Sequence, residues 1–476
     1  MSYIIILQWT LVLFSSILLF VLAPKVSSLG GFFGGASKKN KQPGIILLTT
    51  SLTMSWIMAK SVTNTANLGA QFGWLGGVTY AVYYLSFIVA GIVIYQLRTK
   101  GHFESIHQFL NTKFGRIATM LFTITIGFRL FNEVWSNTMV IGSYFGDYGS
   151  SGFIAAVVVF TILTLAYALK GGLRSSLITD AIQMGLYAIL LGIILSLLYS
   201  PDFSVETVSQ SSTLSFATGL DLFFVALLQI FSYPFHDPVL TDRGFISDPK
   251  TTLKGYFLAS LLGFVSISAF GIIGVYGGSI GISEEAALNV AKSFGAILML
   301  LMNFIMITSA ASTLDSTFTS VAKLVVVDLN EKGNITLTRG RIVMVVIAVA
   351  GSLPLFFSPA VLSATTVSGT MVLGLAPIFL LWNVKAPKVS FYLSYGFGVL
   401  AGLFLLFGWI PEWAYVVNGH HAELLTANVY GSIVSFSGYL LPAGLLAFYE
   451  QYTEPIKAKL PPLANVLVVK LLDNEG

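Results

Sequence analysis

The sequence predicts an all-α integral membrane protein of about thirteen transmembrane helices, ten of them forming a five-helix unit and its inverted repeat. Three observations carry that expectation. The 476-residue chain is 55% hydrophobic and 10% charged, with mean hydropathy +0.83, whereas soluble domains are about 25% charged. Its apolar stretches recur at close to bilayer length. Its cations fall almost wholly on alternate loops.

The stretches run 3–23, 44–69, 74–97, 116–145, 151–169, 175–199, 217–243, 253–278, 297–327, 340–357, 360–383, 389–410 and 429–449, numbered here as spans 0 to 12. Span 0 has no basic residue before it. Its first cation, Lys25, follows the apolar run, which favours a retained helix over a cleaved signal. Placing the N-terminus outside puts Lys38, Lys39, Arg98, Lys113, Lys170, Arg174, Arg243, Lys250, Arg339, Lys385 and Lys457 inside, and leaves Lys292 outside. The positive-inside rule then sets an outer N-terminus and a cytoplasmic C-terminus in a multi-pass protein of the cell membrane.

One transmembrane domain covers 1–476. Spans 1–5 (44–199) and 6–10 (217–383) are of similar length, and an odd-numbered unit repeated once must be inverted. Span 0 (3–23) and the last two spans (389–449) lie outside the repeat. Each unit is expected to open with an interrupted helix. In span 6, Pro234 and Pro238 flank Phe235, His236 and Asp237, and proline breaks a helix interior. In span 1, residues 59–69 are polar and β-branched at mid-depth. Matched breaks of this kind point to a binding site. Between spans 7 and 8, Ser283 followed by Glu284 and Glu285 predicts an N-capped outer helix over 283–294.

Span 8 carries the densest polar run: Thr308, Ser309, Ser312, Thr313, Asp315 and Ser316 within an apolar stretch. At that depth polar groups must satisfy one another or hold something. An ionisable residue there costs roughly 2.5–3.5 kcal/mol, so a functional site is the default reading. Hydroxyls one turn apart suit a small hard cation; the bland alternative is bonding back to the i−4 carbonyl. Lys60 in span 1 reads either as a snorkelling or paired lysine, or as an ammonium paired with Asp180 or Asp315 in the place of a second cation. In span 3, Arg129 and Glu133 form an i,i+4 ion pair or face the central cavity. Asp237, with Tyr233, Phe235 and His236 nearby, is placed to meet an amine or amide donor, with Asn64, Thr65 and Asn67 facing it.

Other functions lack support. There is no cysteine, hence no disulfide or thiolate metal site. No basic stripe suggests nucleic acid, and no phosphate loop, dinucleotide fingerprint or nucleophile triad suggests an enzyme. His102, His107, His420 and His421 read as solvated loop residues.

Three local patterns resemble the sodium:solute symporter family, which includes sodium/glucose, sodium/proline and sialic acid transporters. Gly171-Gly172-Leu173 leading to Thr179-Asp180 and Gln183 is similar to the family's span-5 segment. Thr308-Ser309 through Ser312, Asp315, Ser316 and Thr317, then Asp328, is similar to its hydroxyl-rich span 8. Residues 59–69 resemble the unwound part of span 1, and Asp242-Arg243 stands where a Gln-Arg pair closes span 6. The resemblance covers essentially the whole chain. It implies a leucine-transporter-like fold and a sodium site made by the carbonyls of Ala59, Val62 and Ile305 with the hydroxyls of Thr308 and Ser309. Asp180, Thr308 and Ser312 match a second sodium site of some members, from which Ala311 departs; Asp315 and Lys60 join them as residues for a second cation or for coupling.

The resemblance further implies a sodium-coupled symporter importing a small polar solute by alternating access, with no catalytic activity. Ser61, Asn64, Thr65, Asn67, Tyr233, His236 and Asp237 are its solute-binding candidates. Sugar-carrying relatives place longer polar side chains where Thr65 and Ala66 stand, so an amino acid, a urea-like amide or a small organic ion is expected. Residues 233–243 are weakly similar to the urea-carrying branch. The alternatives are a proton-coupled transporter of this fold using Lys60 and Asp180, or a transporter-like membrane sensor.

Overall fold

The computed structural model describes residues 3–199, 203–329, 334–357 and 367–457. Its helices in chain order are α1 (Tyr3–Leu22), α2 (Leu29–Gly34), α3 (Ile45–Trp56), α4 (Ala59–Val82), α5 (Ser86–Thr99), α6 (Ile106–Phe114), α7 (Arg116–Ser143), α8 (Ser151–Leu198) and α9 (Val205–Gln210). There follow α10 (Leu220–Gln229), α11 (Pro238–Arg243), α12 (Pro249–Ser279), α13 (Ala286–Ser293), α14 (Ala296–Lys323), α15 (Leu337–Ser352), α16 (Leu375–Leu380), α17 (Lys388–Leu406) and α18 (Ala422–Lys457). Among the described residues, nine helical stretches are long and apolar enough to cross a membrane, and α3 and α10 are shorter apolar pieces.

Two of the stretches hold more than one expected span. Within α4, Gly73 takes φ 68°, ψ −153°, a left-handed value open to glycine. The chain reverses there: the Thr65 hydroxyl donates to the Gly77 carbonyl at 2.9 Å, and Asn64 meets the Tyr80 hydroxyl at 3.5 Å. Within α8, Gly172 (φ 55°) separates spans 4 and 5. The start of span 10, residues 360–366, lies outside the described residues.

The outer helix begins at Ala286, not at Ser283. Glu285 precedes it in the left-handed region (φ 44°) without capping it. The missing cap comes from a distance, because the Asn67 side-chain oxygen accepts the Ala286 amide at 2.8 Å.

Close backbone approach joins α12 to the two halves of α4. A Cβ on Gly271 would lie 2.6 Å from the Gly77 Cα, and one on Gly274 would lie 2.0 Å from the Ala66 carbonyl oxygen. Small residues are what allow membrane helices to pack this tightly. These helices form one packed body, with α5 held to α12 where Gly91 meets Tyr256. On the other side α14 lies along α8, and α1 packs on both. The polar residues of α14 face the seam between these groups.

Gly271→Ala is expected to destabilise the protein by about 1–3 kcal/mol through overpacking, seen as a lower melting temperature in detergent. Gly185→Ala, where an added Cβ meets nothing within 4 Å, leaves melting unchanged.

Candidate ion and solute site

The first break falls at Ile57 and Met58. Helix α3 ends at Trp56, Met58 is extended (φ −75°, ψ 147°), and α4 starts at Ala59. That corrects the expectation of unwinding over residues 59–69, which are helical. Their hydroxyls do not demand unwinding: Thr63 bonds back to the Ala59 carbonyl at 3.2 Å, an ordinary arrangement in membrane helices. The loose ends at the break are taken by neighbours. Ser55 O accepts the Thr313 hydroxyl of α14 at 3.3 Å, Trp56 O accepts the Tyr84 hydroxyl, and the Lys60 amide reaches Asn137 Oδ1 at 3.4 Å.

The second break is where the two prolines place it. Between α10 and α11, residues Tyr233–His236 form a short tight turn and Asp237 is extended. Asp237 Oδ1 accepts the amides of Val239 (3.0 Å) and Leu240 (3.4 Å), capping α11, whose first residue is Pro238. Proline at the first helical position lacks the amide that would otherwise need a partner.

All five expected sodium ligands are buried. Ala59 and Val62 lie in the first turn of α4; Ile305, Thr308 and Ser309 lie on α14. Thr308 donates its proton to Phe304 O (3.0 Å) or Ile305 O (2.8 Å), so its oxygen lone pairs stay free. Ser309 Oγ is buried with no hydrogen-bond partner. With about 100° per residue on a helix, Ser309 points between Ser312, which bonds Asp180 on α8, and Thr313, which bonds Ser55 on α3. An unpartnered oxygen aimed between two helices, one of them broken, fits a small cation.

One to two turns further along α14 from Ser309 lies a buried polar cluster. Asp180 accepts the hydroxyls of Ser51 and Ser312 and faces Arg243 Nη2 at 3.3 Å. Asp315 accepts from Ser176 (2.8 Å) and Thr179 (2.9 Å). Arg243 also donates to Val239 O (2.7 Å), Ser51 Oγ (2.8 Å) and Ser316 Oγ (2.7 Å). Both carboxylates and the guanidinium are fully buried. With both carboxylates ionised, the cluster is one positive charge short.

Lys60 does not reach that cluster. Its ammonium pairs with Glu133 of α7 at 2.7 Å, which overturns the pairing with Asp180 or Asp315; Arg243 stands beside Asp180 instead. Glu133 also contacts Arg129, whose Nη2 lies 3.0 Å from Asp237 Oδ2. Trp56 Nε1 donates to the same Asp237 oxygen at 3.0 Å. Arg129 and Glu133 therefore form the expected i,i+4 contact, and Arg129 joins it to the second break through Asp237.

The solute candidates separate. Ser61 and Tyr233 line a small box with Trp56, Tyr80, Tyr83 and Tyr84. Asn64 lines a vestibule of about 220 Å³ beside α13. Thr65 is tied to Gly77 O and Asn67 holds the outer helix, so neither faces the box. His236 bonds the Tyr233 carbonyl through Nδ1 (2.5 Å) and turns toward a separate cavity beside α7 and α17. Asp237 has both oxygens engaged within the protein. Sequence reasoning missed Trp56, Ser51 and Ser176 as site residues, and met Arg243 only as the end of span 6.

No family model matches the sequence, and no curated protein matches it. Among solved structures the chain is similar to a substrate-bound, outward-open Na⁺-coupled sialic acid symporter, with TM-score 0.72 and 13% identity over 93% of this chain and 98% of that one. It is also similar to Mhp1, a nucleobase-cation-symport-1 family transporter in a closed conformation with bromovinylhydantoin bound (TM-score 0.57, 12% identity, 89% and 95% coverage). A third is MhsT in complex with L-phenylalanine (TM-score 0.55, 12% identity, 88% and 99% coverage). At these identities the likeness is one of fold: an all-helical, leucine-transporter-like inverted repeat.

Removing Arg243 strands two buried carboxylates, so Arg243→Gln is expected to cost about 3–5 kcal/mol. Adding Asp180→Asn to Arg243→Gln recovers most of it. A double-mutant cycle on melting or denaturant midpoints reads the coupling; additive losses would dissolve the pair.

Proposed function

We propose that this chain is a sodium-coupled symporter of the sodium:solute symporter family, importing a small polar solute across the cell membrane by alternating access. The observation that carries this reading is a buried cluster of two carboxylates, Asp180 and Asp315, with the single guanidinium of Arg243, one positive charge short when both carboxylates are ionised. It lies against a helix whose Ser309 hydroxyl has no partner. A monovalent cation answers both. The likeness of fold to a Na⁺-coupled symporter supports sodium as that cation.

The proposed ligands are the carbonyls of Ala59, Val62 and Ile305 and the hydroxyls of Thr308 and Ser309. Ser55 O, which accepts the Thr313 hydroxyl, and Ser312, which bonds Asp180, are further candidates one turn along α14. Sodium bound there would tie the first broken helix to α14; no step beyond that coordination is asked of the ion. Asp180, Ser312 and Asp315 form the adjoining polar region, and Lys60 belongs to the solute side.

Two ion pairs close the inner side: Arg243–Asp180 and Lys323–Asp242, the latter at 2.7 Å. Each joins the end of span 6 to span 5 or span 8. The outer vestibule descends to Lys60. This is an inward-closed arrangement, with the N-terminus outside and repeats over 44–199 and 217–383. An entering positive charge gains about 2.3 kcal/mol per 100 mV, which at about 1.4 kcal/mol per decade supports roughly fifty-fold accumulation of a neutral solute.

A proton on Asp315 would answer the charge shortfall equally well, and this is the rival reading. Melting of the purified protein in sodium against equimolar potassium separates them. Sodium at about 100 times its Kd adds about 2.7 kcal/mol of stability, whereas a proton-coupled carrier melts alike in both salts. Asp315→Asn is expected to leave the protein folded and to raise half-saturating sodium at least tenfold. Ser309→Ala against Thr313→Ala locates the cage: whichever weakens sodium more marks its turn of α14.

A further inference from the structure

The box between the two broken helices has a chemical bias of its own. Its walls are the rings of Trp56, Tyr80, Tyr83, Tyr84 and Tyr233, and in this conformation it encloses about 20 Å³. Two cations reach it, Lys60 and Arg129. Their counter-charges do not: Glu133 and Asp237 line neither the box nor the vestibule above it. Glu133 sits behind Lys60, tied to Asn137 Nδ2 at 3.0 Å. Asp237 is turned to the α11 amides and to Trp56 Nε1.

Both cations also have donors to spare. An ammonium has three and a guanidinium five. The Lys60 ammonium donates to Glu133 alone among the described contacts. Arg129 Nε is buried with no hydrogen-bond partner. A buried, unpartnered N–H on a cation is costly unless something fills it. Lys60 lines the vestibule as well as the box, so its side chain joins the two; Asp147, Glu285 and Lys292 line the vestibule with it.

We propose that the transported solute is a small carboxylate, held by Lys60 and Arg129 with its apolar body against the tyrosine and tryptophan faces. This narrows the open choice among amino acid, amide and organic ion, and it rests on the symport reading above. A carboxylate is acceptor-only and takes the spare donors of both cations. A primary amide brings donors that find no acceptor among the side chains aimed into the box other than hydroxyls. An amine brings a charge that both cations repel. Simple carboxylates and α-amino acids share the recognised group.

The experiment is a thermal-shift and equilibrium-binding panel on the purified full chain, run in sodium and again in potassium. Three matched arms are used: three- to six-carbon monocarboxylates such as propionate, their α-amino acids such as L-alanine, and the corresponding primary amides and amines. At least one carboxylate-bearing arm is expected to bind, with its amide and amine at least tenfold weaker. Binding of an amide or amine as tightly as its carboxylate, or silence from every carboxylate, overturns the proposal. Carboxylate binding that is equal in sodium and potassium instead overturns the coupling and leaves the solute class standing.

Two variants tie the result to the box. Lys60→Met alone leaves Glu133 with Arg129 as its one remaining cation, so it is made together with Glu133→Gln; the pair is expected to bind the carboxylate at least tenfold more weakly. Lys60→Arg keeps the charge and recovers most of the affinity. Unchanged binding in the double variant, with melting unaltered, removes Lys60 from recognition.

Discussion

No water reaches the hydrocarbon core of a bilayer, so a helix that stops inside it must find partners for its unpaired carbonyls and amides. This protein stops two helices there, after Trp56 and after Gln229. Nearly everything distinctive about its interior answers that demand. Thr313, Tyr84 and Asn137 take the ends of the first break; Asp237 and two prolines settle the second. The groups at the first break come from α7, α14 and the turn between α4 and α5, so that break cannot form unless those elements are in place. Local interruption and global packing are one event.

The charged residues follow the same logic. Seven of them, Lys60, Arg129, Glu133, Asp180, Asp237, Arg243 and Asp315, lie at depth without solvent, and a charge there is tolerated only when paired. They form two groups with different balance. The group around Glu133 is neutral, with two cations and two carboxylates. The group around Asp180 is one positive charge short when both its carboxylates are ionised. A cation, or a proton on Asp315, would balance the second group, whereas the first is balanced in charge and keeps only an unpartnered donor at Arg129 Nε.

Much of this was legible in the sequence, and the parts that were not share a cause. Hydropathy located the spans, because burial in lipid is a property of each stretch taken alone. Pro234 and Pro238 marked the second break for the same reason: a missing amide acts locally. The first break carries no proline or glycine among Ser55, Trp56, Ile57 and Met58, so it was read a few residues late, in the polar run that follows. The choice of Glu133 over Asp180 as partner for Lys60 depends on how α4 and α7 are rotated about their axes. Nothing within either helix encodes that. Arg243 looked like one more cytoplasmic cation at a span end, yet it is fully buried. Positive-inside counting sees the charge and is blind to its depth.

The position of Arg243 explains why the unbalanced group suits a carrier better than a static scaffold. Its guanidinium rides on the short segment after the second break and reaches Asp180 and the α14 hydroxyls across the seam. A cation arriving beside Ser309 and Ser312 would enter the field of the same carboxylates that hold Arg243. Under the symport reading, filling the ion side therefore weakens the hold of span 5 on span 6, since one pair of carboxylates then answers two cations. Without the ion, Arg243 is the sole positive charge available to Asp180 and Asp315, and moving it away would leave both stranded in lipid-like surroundings. An empty site thus keeps its inner side shut for electrostatic reasons. That is the property a coupled carrier requires, because a carrier that opened inward without its ion would dissipate the gradient it depends on.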